Sequence, residues 1–212
     1  MRREDRERAF WERIAPHYDH AVTGIFGKPM PRMLALTAEG AAGAENALEV
    51  AAGTGVFTAV VAPRVRHLMA TDYTGAMLTL LRKRVEESGF SNVECAAADI
   101  HALPYPPASF DLVVAGNVLH LVPDLPGALA ALCRVLRPGG RLLAPTYCHA
   151  ETLTAAAVSR VLATVIGQPM RRRFSAQSLR AALEDAGLRV VRTETAPGLI
   201  PATYVEAVLQ PS

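Results

Sequence analysis

The chain has 212 residues, half of them hydrophobic, enough for one sizeable core and a single domain. A net charge of only +2 gives no reason to expect nucleic acid as the main partner. The three cysteines, Cys95, Cys133 and Cys148, have neither disulfide-framework nor zinc-ligand spacing, so no metal is expected and a reducing, cytoplasmic setting fits.

The opening stretch MRREDRERAFWERIAPHYD predicts a helix over Glu4–Ile14. It is charged and lacks the apolar core of a signal peptide. No apolar run in the chain reaches the ~18 residues of a membrane span, so any membrane contact is expected to be peripheral. Residues 1–40 precede the first strand and are expected to act as an N-terminal cap or lid.

From Ala47 onward short apolar strands alternate with helical segments, the sign of a mostly parallel sheet. Strands are predicted at Ala47–Ala51, His67–Thr71, Asn92–Ala97, Phe110–Ala115, Gly140–Thr146, Arg189–Glu194 and Thr203–Leu209. Helices are predicted at Gly55–Ala62, Gly75–Ser88, Gly127–Val135 and Ser175–Ala186. The last two strands are joined by Thr195–Ala202, too short for a helical crossover, so they should pair antiparallel. The expected fold is α/β: a Rossmann-like sheet of five parallel strands plus a C-terminal antiparallel pair, helices on both faces. Residues 149–173 carry Val158, Val161, Leu162 and Val165 at helical spacing. They either cap the strand ends as a substrate cover or complete the core.

The first strand runs through Glu49, Val50, Ala51 and Ala52 into Gly53-Thr54-Gly55 and then a helix. Glycines here let the backbone turn tightly beside a ligand, and the helix start offers free N–H groups. A dinucleotide fingerprint would need a third glycine where Thr58 stands. A pyrophosphate would also be poorly served by Glu49, whereas a ligand carrying an ammonium group would be well served. Asp72 ends the second strand, about 20 residues after the glycine loop, where an acid accepts ribose hydroxyls. Tyr73 and Met77 are placed to pack on an adenine face, and Asp99-Ile100 ends the third strand, where a carboxylate would receive the adenine amino group. The fourth strand, Phe110–Val114, leads into Gly116-Asn117-Val118-Leu119-His120.

In this order and spacing the sequence resembles the class I S-adenosylmethionine-dependent methyltransferases, from about Ala47 to Gly140. The glycine motif Glu49–Gly55, the ribose acid Asp72, the adenine-side acid Asp99, the fourth-strand motif and the turn Leu136-Arg137-Pro138-Gly139-Gly140 carry the likeness. Ala51 departs from it, since many members have glycine there. The resemblance implies S-adenosylmethionine as cofactor and S-adenosylhomocysteine as product, held by Glu49, Ala51, Gly53, Thr54, Gly55, Asp72, Tyr73, Met77, Asp99, Ile100 and Asn117. The segment Phe10–Asp19 is similar to the opening segment of members that methylate quinone precursors and phospholipid head groups; it implies that Tyr18 lies over the cofactor.

The activity implied is methyl transfer to a small or amphiphilic acceptor with an apolar body. Such transfer mainly needs the acceptor held in line and water kept away, with a base only for a protonated acceptor. His120 is the candidate base, or else shapes the pocket wall. His120 and Tyr147 would orient the reacting atom, and Leu153, Val158, Val161, Leu162 and Val165 would line the acceptor's apolar body. The arginine run 171–173 is either a solvated surface or a contact for anionic groups. The competing readings are a non-catalytic module that binds the same cofactor and a nicotinamide-dependent oxidoreductase. Arsenite methylation would require cooperating cysteines, and only Cys148 lies near the strand ends.

Overall fold

The computed structural model describes residues 3–15, 27–166 and 171–211, without the side chains of residues 3–8 and 162–166. Tyr18 therefore lies outside the described residues. In chain order the elements are α1 (Arg3–Ile14), α2 (Met30–Ala41), β1 (Ala44–Val50), α3 (Thr58–Val61), β2 (Val65–Asp72), α4 (Gly75–Glu87), β3 (Val93–Ala97), β4 (Phe110–Val114), α5 (Leu125–Val135), β5 (Leu136–Leu143), β6 (Thr146–Tyr147), α6 (Leu153–Ile166), α7 (Ala176–Asp185), β7 (Leu188–Ala196) and β8 (Ala202–Leu209).

The strands form one sheet in the order β3-β2-β1-β4-β5-β8-β6, with β7 paired to β8. The first five are mutually parallel, and β8 runs antiparallel to β5, β6 and β7. This is the expected architecture with one strand more, because Pro145 interrupts the predicted fifth strand and leaves Thr146–Tyr147 as a separate β6. Central β4 is buried along its whole length, as a parallel strand covered on both faces must be.

Alternation along the strands divides the core into two faces. Leu48, Val50 and Val113 pack with Leu129 and Leu132 of α5 and Leu179 and Leu183 of α7. Ala47, Leu112 and Val114 face the other way, towards Met33 and Leu36 of α2 and Val61 of α3. Helix α2, Met30–Ala41, thus packs on this face of the sheet as part of the core. Pro31 sits in its first turn, where proline's missing N–H costs no hydrogen bond. Helix α1 packs against α4 and buries Phe10.

The predicted helix Gly55–Ala62 is only four residues long, followed by a 3-10 turn over Ala62–Arg64. Gly55 takes φ +83° and cannot start a helix, and Pro63 ends it. At the other end of the chain, Ser175 caps α7 in a reciprocal capping box with Ser178.

Candidate functional site

Parallel register brings the C-terminal ends of the strands to one edge. Glu49 of β1 sits level with Val114 of β4, which sits level with Leu143 of β5. Loops leaving this edge meet in the crevice where ligands bind in open α/β sheets.

The glycine loop occupies the centre of that edge. Gly53 and Gly55 have φ +58° and +83°, values only glycine adopts without cost. A Cβ at Gly53 would meet nothing within 4 Å, whereas one at Gly55 would strike Leu81 and Arg84. The first glycine thus keeps space open and the second permits close packing of α4. Ala51 also lies in the left-handed region, at φ +50°, so its departure from glycine costs about 1 kcal/mol of strain.

Glu49 is fully buried and accepts a 2.6 Å hydrogen bond from the Thr58 hydroxyl. The residue standing where a third glycine would be is therefore the partner of the buried acid. Burial pushes the Glu49 carboxyl up to about 8; the Thr58 bonds oppose this and the Asp72 charge adds to it. A carboxyl in this state is poised to ionise beside a cation.

Asp72, also buried, accepts from the Gly53 amide through Oδ2 and from the Thr74 amide and hydroxyl through Oδ1, all at 2.9 Å. Burial raises its pKa against these bonds. Oδ2, with one donor, keeps a lone pair for a further donor, whereas Thr74 occupies both of those on Oδ1. Met77 is buried, Tyr73 is half-buried, and Thr54 is buried in the glycine loop. Asp99 is exposed and held by His101, whose amide and Nδ1 both bond Oδ1 while Nε2 reaches the Asp124 carbonyl. Ile100 packs against the larger core face.

A second group surrounds the loops after β4 and β6. Asn117, at φ +55°, bonds the Pro145 carbonyl through its amide, and its Oδ1 accepts from the Tyr147 amide. His120 and His149 are buried with ring centroids 5.3 Å apart, and Tyr147 lies 6.4 Å from His149. Burial and then His149 press His120 down to about 3; burial and then the Arg173 charge press His149 down to about 4. Both rings are neutral at physiological pH.

Segment 171–174 closes the back of this group. The amides of Arg171 and Arg172 donate to the His120 carbonyl. The Arg172 guanidinium donates to the carbonyls of Val122 and Pro123, and Arg173 donates to the Ser159 hydroxyl of α6. Arg172 is thus a half-buried fastener between loops. In α6, Ala155 and Ser159 are fully buried and Val158 packs on the core, while Leu153 (93% exposed) and Val161 (63%) face outward. The predicted apolar stripe is split between the two sides, and the side chains of Leu162 and Val165 lie outside the description. Cys148 is buried, bonded to the Thr203 hydroxyl at 3.2 Å, and raised to about 11 chiefly by burial, an inert thiol. Among the described residues no cluster of three metal-ligating side chains occurs, and no helix is long and apolar enough to cross a membrane.

Thr58, Thr74, His101 and His149 are the site residues that sequence reasoning passed over. Thr74 had a local signal, two positions after an acid at a strand end; His149 had none.

Residues 48–144 match the family described as the methyltransferase domain. The chain is 31% identical over 145 residues to a demethylmenaquinone methyltransferase of Listeria welshimeri, covering 66% of this chain and 61% of that protein. It is 40% identical over 103 residues to the ubiquinone/menaquinone biosynthesis C-methyltransferase UbiE of Teredinibacter turnerae, covering 47% and 41%. The chain thus spans about three fifths or less of the length of these curated relatives. In three dimensions it is similar to the N-methyltransferase NodS of Bradyrhizobium japonicum, solved with S-adenosyl-L-homocysteine, with TM-score 0.69 and 19% identity over 89% of this chain and 90% of that one.

Proposed function

We propose, on the premise that residues 48–144 form a class I S-adenosylmethionine-dependent methyltransferase domain, that the protein methylates a small acceptor with an apolar body, of the hydroquinone type. The observation that carries this reading is the pair of buried acids around the glycine loop, Glu49 with Thr58 and Asp72 with Gly53 and Thr74. Two carboxyls facing an open backbone cradle fit a cationic nucleoside better than a pyrophosphate. Likeness to a demethylmenaquinone methyltransferase supports the acceptor class.

When bound, S-adenosylmethionine supplies a methyl group already activated by its sulfonium. The protein's own residues bind and orient. Glu49 would balance the ammonium charge, Asp72 would accept from the ribose hydroxyls, Asp99 with Ile100 would take the adenine edge, and Tyr73 and Met77 would pack against its face. Ala51, Gly53, Thr54 and Gly55 would shape the cradle, and Asn117 ties the loop after β4 to Tyr147. His120 is a weak base in this setting. Moving a phenolic proton (pKa about 10) onto a ring at about 3 is uphill by roughly 9 kcal/mol, so His120 holds the acceptor more than it deprotonates it. The outward Leu153 and Val161 would meet the hydrocarbon tail of such an acceptor, or the peripheral membrane surface that carries it.

Incubation with methyl-labelled S-adenosylmethionine and a panel of benzohydroquinones, naphthohydroquinones, amines, peptides and nucleic acids tests this reading. Label is expected on a hydroquinone. Label on peptides or nucleic acids alone would overturn the acceptor class.

A further inference from the structure

The two histidines at the strand edge lack something that buried polar groups almost always have. Among the described residues, neither His120 Nδ1 nor His149 Nδ1 has a hydrogen-bond partner, although both residues are at least 97% buried. Buried side-chain nitrogens are paired in the large majority of cases, and exceptions call for an explanation. Here two exceptions stand side by side, their ring centroids 5.3 Å apart.

Their placement is not that of core histidines. His120 lies six residues beyond Val114 and His149 six residues beyond Leu143, and those two strand ends are paired neighbours in the sheet. The two rings thus follow adjacent strands at the edge that carries the glycine loop, β4 being the neighbour of Glu49's β1 and β5 the next strand out. The backbone behind them is fixed: Arg171 and Arg172 donate to the His120 carbonyl, and the Ala150 amide donates to Phe174. Rigid backbone with bare ring nitrogens is the arrangement of a preorganised polar subsite.

We propose that His120 and His149 together form the acceptor subsite, which recognises a neutral hydroxyl on the acceptor ring. This inference rests on the methyltransferase reading above. A neutral imidazole offers one N–H donor and one bare acceptor nitrogen, so two neighbouring rings can present a donor and an acceptor to a single O–H group, which itself both donates and accepts. An ammonium would find no charge to meet it from the two rings, with the Arg173 cation adjacent to His149 disfavouring it further. Tyr147, 6.4 Å from His149, forms the neighbouring wall. His149 is a positioning residue that chooses which face and which oxygen of the acceptor is presented.

The test is equilibrium binding of 1,4-dihydroxynaphthalene and of naphthalene to the full chain saturated with S-adenosylhomocysteine, read by calorimetry. The intact protein is expected to favour the dihydroxy compound at least tenfold. In His149→Leu that preference should fall to near unity, with S-adenosylhomocysteine affinity unchanged and the melting temperature no lower, because an unpaired buried nitrogen has been removed. His149→Gln, which keeps a donor and an acceptor, should restore part of the preference and serves if the leucine variant fails to fold. Equal binding of both compounds to the intact protein, or full preference retained in the folded variants, would overturn the subsite. Loss of S-adenosylhomocysteine binding by the intact protein would instead overturn the methyltransferase reading itself.

Discussion

Replacing Glu49 with glutamine should raise the stability of the ligand-free protein at pH 7 by about 3 kcal/mol, while weakening its hold on S-adenosylmethionine. The carboxyl is fully buried and held at about 8 in the folded state, against roughly 4.3 in an unfolded chain. Between those values the folded protein keeps a proton that the unfolded chain has released. Fewer protons on the unfolded state means that stability falls as pH rises, by up to about 1.4 kcal/mol per unit, and levels off above pH 8. Glutamine carries no such cost and can still accept from Thr58. For a domain of this size 3 kcal/mol corresponds to roughly 6–12 °C in melting temperature. Thermal melts of both forms from pH 5 to pH 9 should coincide at the acid end and separate steadily towards pH 8. Parallel curves would show that Glu49 is ionised throughout in the folded protein.

On the acid side, the histidine pair should dominate. His120 and His149 are held at about 3 and about 4, below the ordinary 6.5 of a free imidazole. Below pH 6.5 the unfolded chain takes up protons that the folded protein refuses, so stability falls as pH falls. Together the two rings would remove roughly 6 kcal/mol by pH 4, comparable to the entire stability of many domains. Glu49 works in the opposite direction down to about pH 4.5. The net loss therefore corresponds to a difference of about one bound proton from pH 5.5 down to pH 4, because His149 begins to take up its own proton in the folded state just as the Glu49 contribution fades. Maximum stability of the ligand-free protein is expected close to pH 6–6.5. Denaturant melts at half-unit steps would trace this curve, and His149→Leu should flatten its acid limb. A stability maximum at pH 8, or an acid limb unchanged in that variant, would mean the rings accept protons while folded.

The residues proposed to hold the cofactor stand out in the sequence because their signals are local. A glycine needs its backbone freedom where it stands, and Glu49 and Asp72 stand at the ends of strands, with Asp99 two residues beyond one, whose apolar runs are readable in a few residues. Even the antiparallel pair followed from the length of one connection. Helix α2 was also written in the chain, with Met30, Met33, Leu36 and Thr37 buried at helical spacing, but Pro31 reads as a breaker until it is seen in the first turn. What could not be read depends on strands meeting. His149 stands 29 residues from His120, and only the pairing of β4 with β5 makes them neighbours. The role of Thr58 was hidden differently: as the absence of a glycine it argued against a dinucleotide, whereas in space it is the hydroxyl that holds Glu49.

Calorimetric titration of the ligand-free protein with S-adenosylhomocysteine and with NAD tests the cofactor assignment most directly. S-adenosylhomocysteine is expected to bind at about micromolar affinity, worth roughly 8 kcal/mol, and NAD not at all. Asp72→Asn is the informative variant, since Asp72 also ties down Gly53 and Thr74 and alanine would loosen the loop as well as the ligand. It should lose roughly 1.5–3 kcal/mol of binding, the range for hydrogen bonds to a charged group. Micromolar binding of NAD with none of S-adenosylhomocysteine, or a variant that binds as tightly as the parent, would contradict the account.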